Sequence, residues 1–242
     1  MGGAATVTLS DVSFIQKGTG KDLVFLHGYL SSKEAFSAQV RYFSKFYRVT
    51  AIDFVGFGGS APLTQAFSVD DYADWAKEVL RLLRVNHPHV IAHSFGCRVA
   101  VKLASCDPDF FDKILLTGAA GVILKRGFGY HCKVKLYRMV RRFAPLYAER
   151  KFGSAEYRSL SPVMKESYKK IVNEDLRQCA RKIENEVLLV QGTRDTVTPK
   201  KEADAYLVCL KHGKLTTIEG GHFAFAEAPL AFTIIAEEFF YG

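Results

Sequence analysis

An alternation of two periodicities constrains this chain more than any other feature. Short apolar runs recur along it: Leu23-Val24-Phe25-Leu26, Val49-Thr50-Ala51-Ile52, Val90-Ile91-Ala92, Ile114-Leu115-Leu116, Val187-Leu188-Leu189-Val190 and Leu215-Thr216-Thr217-Ile218. Gly, His or Asp bounds them, and many of their residues are β-branched. Runs of this length without polar alternation read as strands buried on both faces, as in a parallel sheet covered by helices. Between them lie stretches with helical spacing. Residues 70–83 set Tyr72, Trp75, Ala76, Val79, Leu80 and Leu83 on one face, with Ser68 or Asp70 as the candidate N-cap. Residues 94–105, 200–210 and 228–240 have the same character, and residues 6–16 are expected to add one or two antiparallel edge strands. The expected class is therefore α/β, a mostly parallel central sheet flanked by helices.

The alternation stops after Gly121 and resumes at Val187. This divides the chain into a core of residues 1–121 and 186–242 and a helical, strand-poor insertion of residues 122–185. The whole chain of 242 residues suits one domain with such an excursion. The insertion holds 16 Lys/Arg against 6 Asp/Glu, a net +10, whereas the full chain carries +8. All of the excess positive charge thus lies in one segment. Within it Lys133, Lys135, Arg138, Arg141 and Arg142 alternate with Val134, Leu136, Met139, Val140 and Phe143. That basic amphipathic pattern fits a solvated face, an attraction for an anionic substrate, or peripheral contact with an anionic membrane. Nucleic acid is not an expected partner, because no recognised nucleic-acid module is present.

Five cysteines, Cys97, Cys106, Cys132, Cys179 and Cys209, form no C-x-x-C pair. An odd, scattered set argues against a disulfide framework or a zinc site and for free thiols in a reducing compartment. His87, His89, His131 and His212 lack partners at metal-ligand spacing, so neither metal nor cofactor is expected. No apolar run is long enough for a membrane span. The first ten residues lack the basic start and apolar stretch of a secretory signal, and the expected location is cytoplasmic. Met1-Gly2-Gly3-Ala4-Ala5-Thr6 matches the loose myristoylation pattern, against the plainer reading of a small, flexible start.

The sharpest local motif is His89-Val90-Ile91-Ala92-His93-Ser94-Phe95-Gly96-Cys97, in which a strand runs into Ser94 and a helix starts directly after it. The small residues Ala92 and Gly96 flank the serine, as a tight, strained turn that lifts a hydroxyl into solvent requires. Four further turns follow strands: Leu26-His27-Gly28-Tyr29-Leu30, Asp53-Phe54-Val55-Gly56-Phe57-Gly58-Gly59-Ser60, Gly192-Thr193-Arg194-Asp195, and Glu219-Gly220-Gly221-His222-Phe223. The glycine-rich second one is no phosphate loop, because no Lys-Ser/Thr follows its glycines. Taken alone, Asp195 reads equally well as a helix cap in Asp-Thr-Val-Thr-Pro.

Together these motifs resemble the α/β-hydrolase superfamily over most of the chain outside residues 122–185. The Ala92-x-Ser94-x-Gly96 element is its nucleophile elbow with Ala for the first Gly, and the order Ser94, Asp195, His222 is the family's order. The resemblance implies Ser94 as nucleophile, His222 as base and Asp195 as the residue orienting it. It also implies an oxyanion hole made by the backbone N–H groups of Tyr29 and Phe95, and a helical cap in residues 122–185. The His27 imidazole and Asp53 are then structural, and His93 turns away from the nucleophile as a packing or pocket residue. The implied activity is a serine hydrolase of carboxylesterase type acting on an ester-like small molecule, with an anionic one among the candidates. Thioesterase and C–C bond hydrolase chemistry use the same triad. A ligand receptor without turnover is the alternative from another class. The sequence carries no reading of oligomeric state.

Overall fold

A computed structural model of the chain describes residues 7–124, 157 and 159–242. Its strands are β1 (Phe14–Lys17), β2 (Asp22–Leu26), β3 (Arg48–Ile52), β4 (His89–His93), β5 (Ile114–Thr117), β6 (Glu186–Gly192) and β7 (His212–Ile218). They form one sheet in the order β1-β3-β2-β4-β5-β6-β7. Every neighbouring pair is parallel except β1 on β3. The expected apolar runs are these strands. The opening stretch supplies one antiparallel edge strand, β1. At the other edge β7 extends back to His212, beyond the apolar run at 215–218, because an edge strand pairs by backbone even where its side chains are polar and exposed.

Helices cover both faces. Here α1 spans Ser37–Phe43, α2 Val69–Leu82, α3 Phe95–Cys106, α4 Pro162–Val172, α5 Arg177–Ala180, α6 Lys200–Leu207, α7 Ala224–Glu227 and α8 Pro229–Tyr241. The two-residue alternation of each strand feeds two cores. Val24, Leu26, Val90, Ala92, Ile114 and Leu116 pack with Tyr72, Val79 and Leu80 of α2 and Val99 and Leu103 of α3. Leu23, Phe25, Ile91 and Leu115 pack with Phe36, Val40 and Phe43 and with Phe232, Phe239 and Phe240 of α8. Of the two cap candidates for α2, Ser68 is the one used: its hydroxyl accepts from Asp71 N–H, and the Asp71 carboxylate accepts from Ser68 N–H, a reciprocal capping box.

The insertion returns to the sheet through α4 and α5, which pack against the α2/α3 side. Its basic amphipathic stretch, Cys132 and the first six residues lie outside the described residues. The other four cysteines are free. Among the described residues no helix is long and apolar enough to cross a membrane.

Three buried histidines, His27, His89 and His93, have pKa values lowered by burial and so contribute to the acid response of the fold. His89 stacks on Phe240 with ring centroids 4.7 Å apart. Burial pushes its pKa down to about 4, against the attraction of Asp112 and with the help of Lys21, Lys113 and His87. Burial also pushes His93 down, to about 3, and nearby His222 adds to the shift. In an unfolded chain all three titrate near 6.5. Below that pH the unfolded chain binds protons that the native state refuses, so this contribution to stability is full above about 6.5 and declines as pH falls toward 4. The urea midpoint is expected to drop between pH 7 and pH 5. His89→Gln is expected to show a shallower slope, the limit being about 1.4 kcal/mol per pH unit for each histidine removed.

Candidate active site

The C-terminal ends of the parallel strands gather along one edge, and every site residue expected from the sequence follows one of them. Tyr29 lies three residues beyond β2, Ser94 directly beyond β4, Asp195 three beyond β6 and His222 four beyond β7. Ser94 has φ 50° and ψ −107°, a left-handed backbone that a residue with a side chain seldom adopts. The turn is tight enough that a Cβ on Gly96 would sit 2.2 Å from the Leu26 carbonyl oxygen. The elbow therefore packs directly on the end of β2.

The structure brings Ser94, His222 and Asp195 into one hydrogen-bonded line. His222 Nε2 lies 3.0 Å from Ser94 Oγ, placed to accept a hydrogen bond from its hydroxyl. His222 Nδ1–H donates to Asp195 Oδ2 at 2.9 Å. Asp195 divides its two oxygens. Oδ1 accepts from the backbone N–H groups of Val197 and Thr198 at 2.8 and 2.9 Å. Oδ2 accepts from His222 and from the Thr198 hydroxyl, the latter at 2.8 Å. Asp195 thus closes a local turn with one oxygen and bonds His222 with the other, while the N-cap position of α6 falls to Pro199. Burial works to raise the Asp195 pKa, but the bonds from His222 and Thr198 outweigh it and hold the carboxyl down at about 2.

Thr198 was not among the residues expected to matter. Its Oγ1 also lies 3.2 Å from His222 Nδ1, so it braces both ends of the Asp195–His222 bond. The sequence signal was present in Asp-Thr-Val-Thr-Pro, where a hydroxyl three residues past an aspartate closes a local turn.

The turn after β2 abuts the elbow. A Cβ built on Gly28 would lie 3.4 Å from Ser94 Cβ and 2.8 Å from His93 Nδ1. No described residue accepts a hydrogen bond from the backbone N–H of Tyr29 or Phe95. The His27 ring donates from Nδ1 to the Gly28 carbonyl at 2.7 Å and accepts Phe54 N–H at Nε2, 3.0 Å away. Its imidazole thereby ties this turn to the loop after β3, the structural task expected of it. Asp53 anchors that loop, accepting from Lys33 N–H, Lys33 Nζ and Gly59 N–H. His93 is a pocket residue, one of the two roles expected of it. It lines the same cavity as Ser94, because the loop after β7 folds back over the end of β4. Its Nε2–H donates to the backbone carbonyl of His222 at 3.0 Å, and the two rings lie 4.7 Å apart.

A cavity of about 580 Å³ opens at Ser94. Its walls mix apolar side chains, among them Val122, Ile171 and Phe223, with Tyr29, Arg98 and Glu202. Among the described residues no group of three or more His, Cys, Asp or Glu side chains is placed to hold a metal. The arrangement can deprotonate a hydroxyl beside two free backbone donors, which is the equipment of acyl transfer.

Comparison with known proteins fits this geometry. Residues 22–130 match the family model described as the alpha/beta hydrolase fold. Over 101 residues the chain is 31% identical to the (E)-2-((N-methylformamido)methylene)succinate hydrolase of Acinetobacter baylyi, a stretch covering 42% of this chain and 38% of that protein. The chain therefore spans well under two thirds of the length of that curated relative. Among solved structures, an esterase from Exiguobacterium antarcticum superposes with a TM-score of 0.76 at 21% identity, covering 96% of both chains. A meta-cleavage product hydrolase from Pseudomonas fluorescens superposes with a TM-score of 0.74 at 21% identity, covering 95% of this chain and 94% of that one. Likeness at this level of identity shows a shared fold.

The contact at Gly96 is directly testable. Gly96→Ala forces a methyl against backbone that has no room to yield, and it is expected to lower stability by about 1–3 kcal/mol in urea unfolding.

Proposed function

Given that this chain is a member of the α/β-hydrolase-fold superfamily, we propose that it is a serine hydrolase that cleaves an ester-like bond through an acyl-enzyme. The observation that carries this reading is the continuous line from Ser94 Oγ through the His222 ring to Asp195 Oδ2, with spacings of 3.0 and 2.9 Å. The hydroxyl of Ser94 attacks the substrate carbonyl carbon while His222 Nε2 takes its proton. The carbonyl oxygen becomes an oxyanion received by the N–H groups of Tyr29 and Phe95. As the intermediate collapses, His222 returns the proton to the departing alcohol. Water then repeats the sequence on the acyl-enzyme and frees the acid. Asp195 stays ionised throughout and steadies the imidazolium, because its hydrogen bonds keep its pKa far below neutral.

In this reading residues 1–121 and 186–242 form the catalytic core and residues 122–185 the cap. The described end of that cap, α4 and α5, is docked on the catalytic machinery: Tyr29 Oη donates to the Met164 carbonyl at 3.2 Å, and Ile171 and Val172 face the cavity. The free thiols fit a reducing, cytoplasmic setting. Neutral His93 serves as a strut that holds the backbone of His222 against the end of β4.

Two measurements test the reading. A fluorophosphonate is expected to add once to the wild-type chain, as seen by intact mass, and not to Ser94→Ala. A folded wild-type chain that takes no adduct contradicts an activated serine. Asp195→Asn is expected to remove about 10⁴-fold in kcat, because it stabilises the wrong imidazole tautomer.

Thr198→Val, close to isosteric, is expected to lower kcat/KM about tenfold with little change in melting temperature, since one hydrogen bond to a charged group is worth ~1.5 kcal/mol. Thr198→Ser is expected to recover most of that loss. Equal activity in the valine variant argues against a bracing role for the hydroxyl.

A further inference from the structure

One buried charge at the site has no part in the chemistry above. Arg98 lies on α3 one helical turn beyond Ser94, about 5.4 Å along the axis. It is 8% exposed and lines the same cavity. Its Nη1 donates to the Ile171 and Glu174 carbonyls, at 2.8 and 2.9 Å, and so satisfies the C-terminal end of α4. Among the described residues nothing accepts from Nε or Nη2, and the residue lines the cavity. Nε–H and Nη2–H point the same way on one edge of the guanidinium, the fork that fits the two oxygens of a carboxylate. The backbone clamp on Nη1 holds that fork in a fixed orientation.

Among the described residues no carboxylate occupies it. Among the described residues none lies within ion-pair distance of Arg98. Glu174 is bonded instead to Lys102, which also holds Asp70. Glu202, the acidic residue among the described cavity walls, is engaged in an interaction of its own. Burial lowers the Arg98 pKa, yet a guanidinium stays charged at physiological pH. Among the described residues Glu174 and Glu202 attract it without reaching ion-pair distance, so a cation in the cavity wall gains further from an anionic group that a ligand supplies.

Resting on the hydrolase reading above, we infer that Arg98 is the carboxylate-binding group of this site and that the substrate is an ester whose acyl chain ends in a carboxylate, such as a half-ester of a short dicarboxylic acid. The acyl assignment follows from depth. Arg98 is on the buried side of the cavity, whereas Val197 and Phe223 are 65% and 45% exposed at its opening. The acyl chain stays bound to Ser94 after the alcohol has left toward the opening, so its far end is the part that a deep cation can hold. A cavity of this size suits a small ligand.

The test compares p-nitrophenyl half-esters of succinate, glutarate and adipate with the butyrate, valerate and hexanoate esters, which replace the carboxylate by a methyl group. For at least one chain length the wild-type chain is expected to favour the half-ester by about tenfold or more in kcat/KM. Arg98→Gln is expected to collapse that ratio toward one, and Arg98→Lys to leave an intermediate ratio, since an ammonium keeps charge without the fork. Wild-type ratios at or below one for every length overturn the inference. So does an Arg98→Gln variant that loses activity equally on both members of each pair, the mark of a clamp on α4 alone. Where Arg98→Gln does not fold, the wild-type ratios together with the Arg98→Lys ratio decide. Fluorophosphonate labelling of Ser94 in the same preparation separates the two claims: a labelled serine with no carboxylate preference removes the inference and leaves the hydrolase reading standing.

Discussion

The parallel hydrogen-bonded ladder joining β2 to β4, β5, β6 and β7 sets every later distance in the site. Neighbouring strands lie about 4.8 Å apart, so β4 and β7 are separated by roughly 14 Å. Residues at their ends meet only if a loop travels back along the sheet edge. The turn after β7 does this, and its return is fixed at several points. His93 Nε2 holds the His222 carbonyl, Glu227 accepts the Gly221 N–H, and the Gly220 carbonyl accepts from Arg194 N–H. Asp195, arriving from β6 between them, has the shorter distance to cover. The sheet thus supplies a coarse coordinate, and a few local bonds to loop backbone supply the fine one.

Charge is managed differently at each titratable position along this edge. Asp195 is kept ionised by four donors, which overcome the burial that would neutralise it. His93, a few ångströms away, is kept neutral by burial, and a neutral ring next to His222 does not repel the imidazolium that the proposed mechanism forms. Arg98 keeps its charge in the wall and shares it with the carbonyl end of α4. Three burials produce three outcomes because what matters is the number and kind of hydrogen bonds each group receives in exchange for water.

Much of this was legible in the sequence. Strand positions followed from apolar runs, and the candidate site from turns placed directly after them. What escaped the sequence was short or reciprocal. The helix α1 (Ser37–Phe43) has two turns, too few for its apolar period to stand out from noise. Thr198 looked like any turn hydroxyl until its two partners could be seen together. His93 was expected to turn away, and the strand's alternation does aim it at the Phe225 side. No local pattern announces that the loop after β7 folds over that side. Arg98 carries no sequence signal, because it and Lys102 lie one turn apart on a mostly apolar helix, a pattern equally consistent with an exposed face.

The order of the chain has a consequence for assembly. Tyr29, Ser94 and Phe95 belong to the part that precedes the insertion, while Asp195 and His222 belong to the part that follows it. The two parts join edge to edge through the β5–β6 ladder, Ile114 to Val187 and on to Thr117 with Val190. Neither part holds a complete proton relay. On the proposed function, a polypeptide divided within the insertion would yield two silent fragments, and turnover on mixing them would report that single strand pairing. The same arithmetic applies on the ribosome, where the proposed relay cannot be complete in a nascent chain until its last strand has docked.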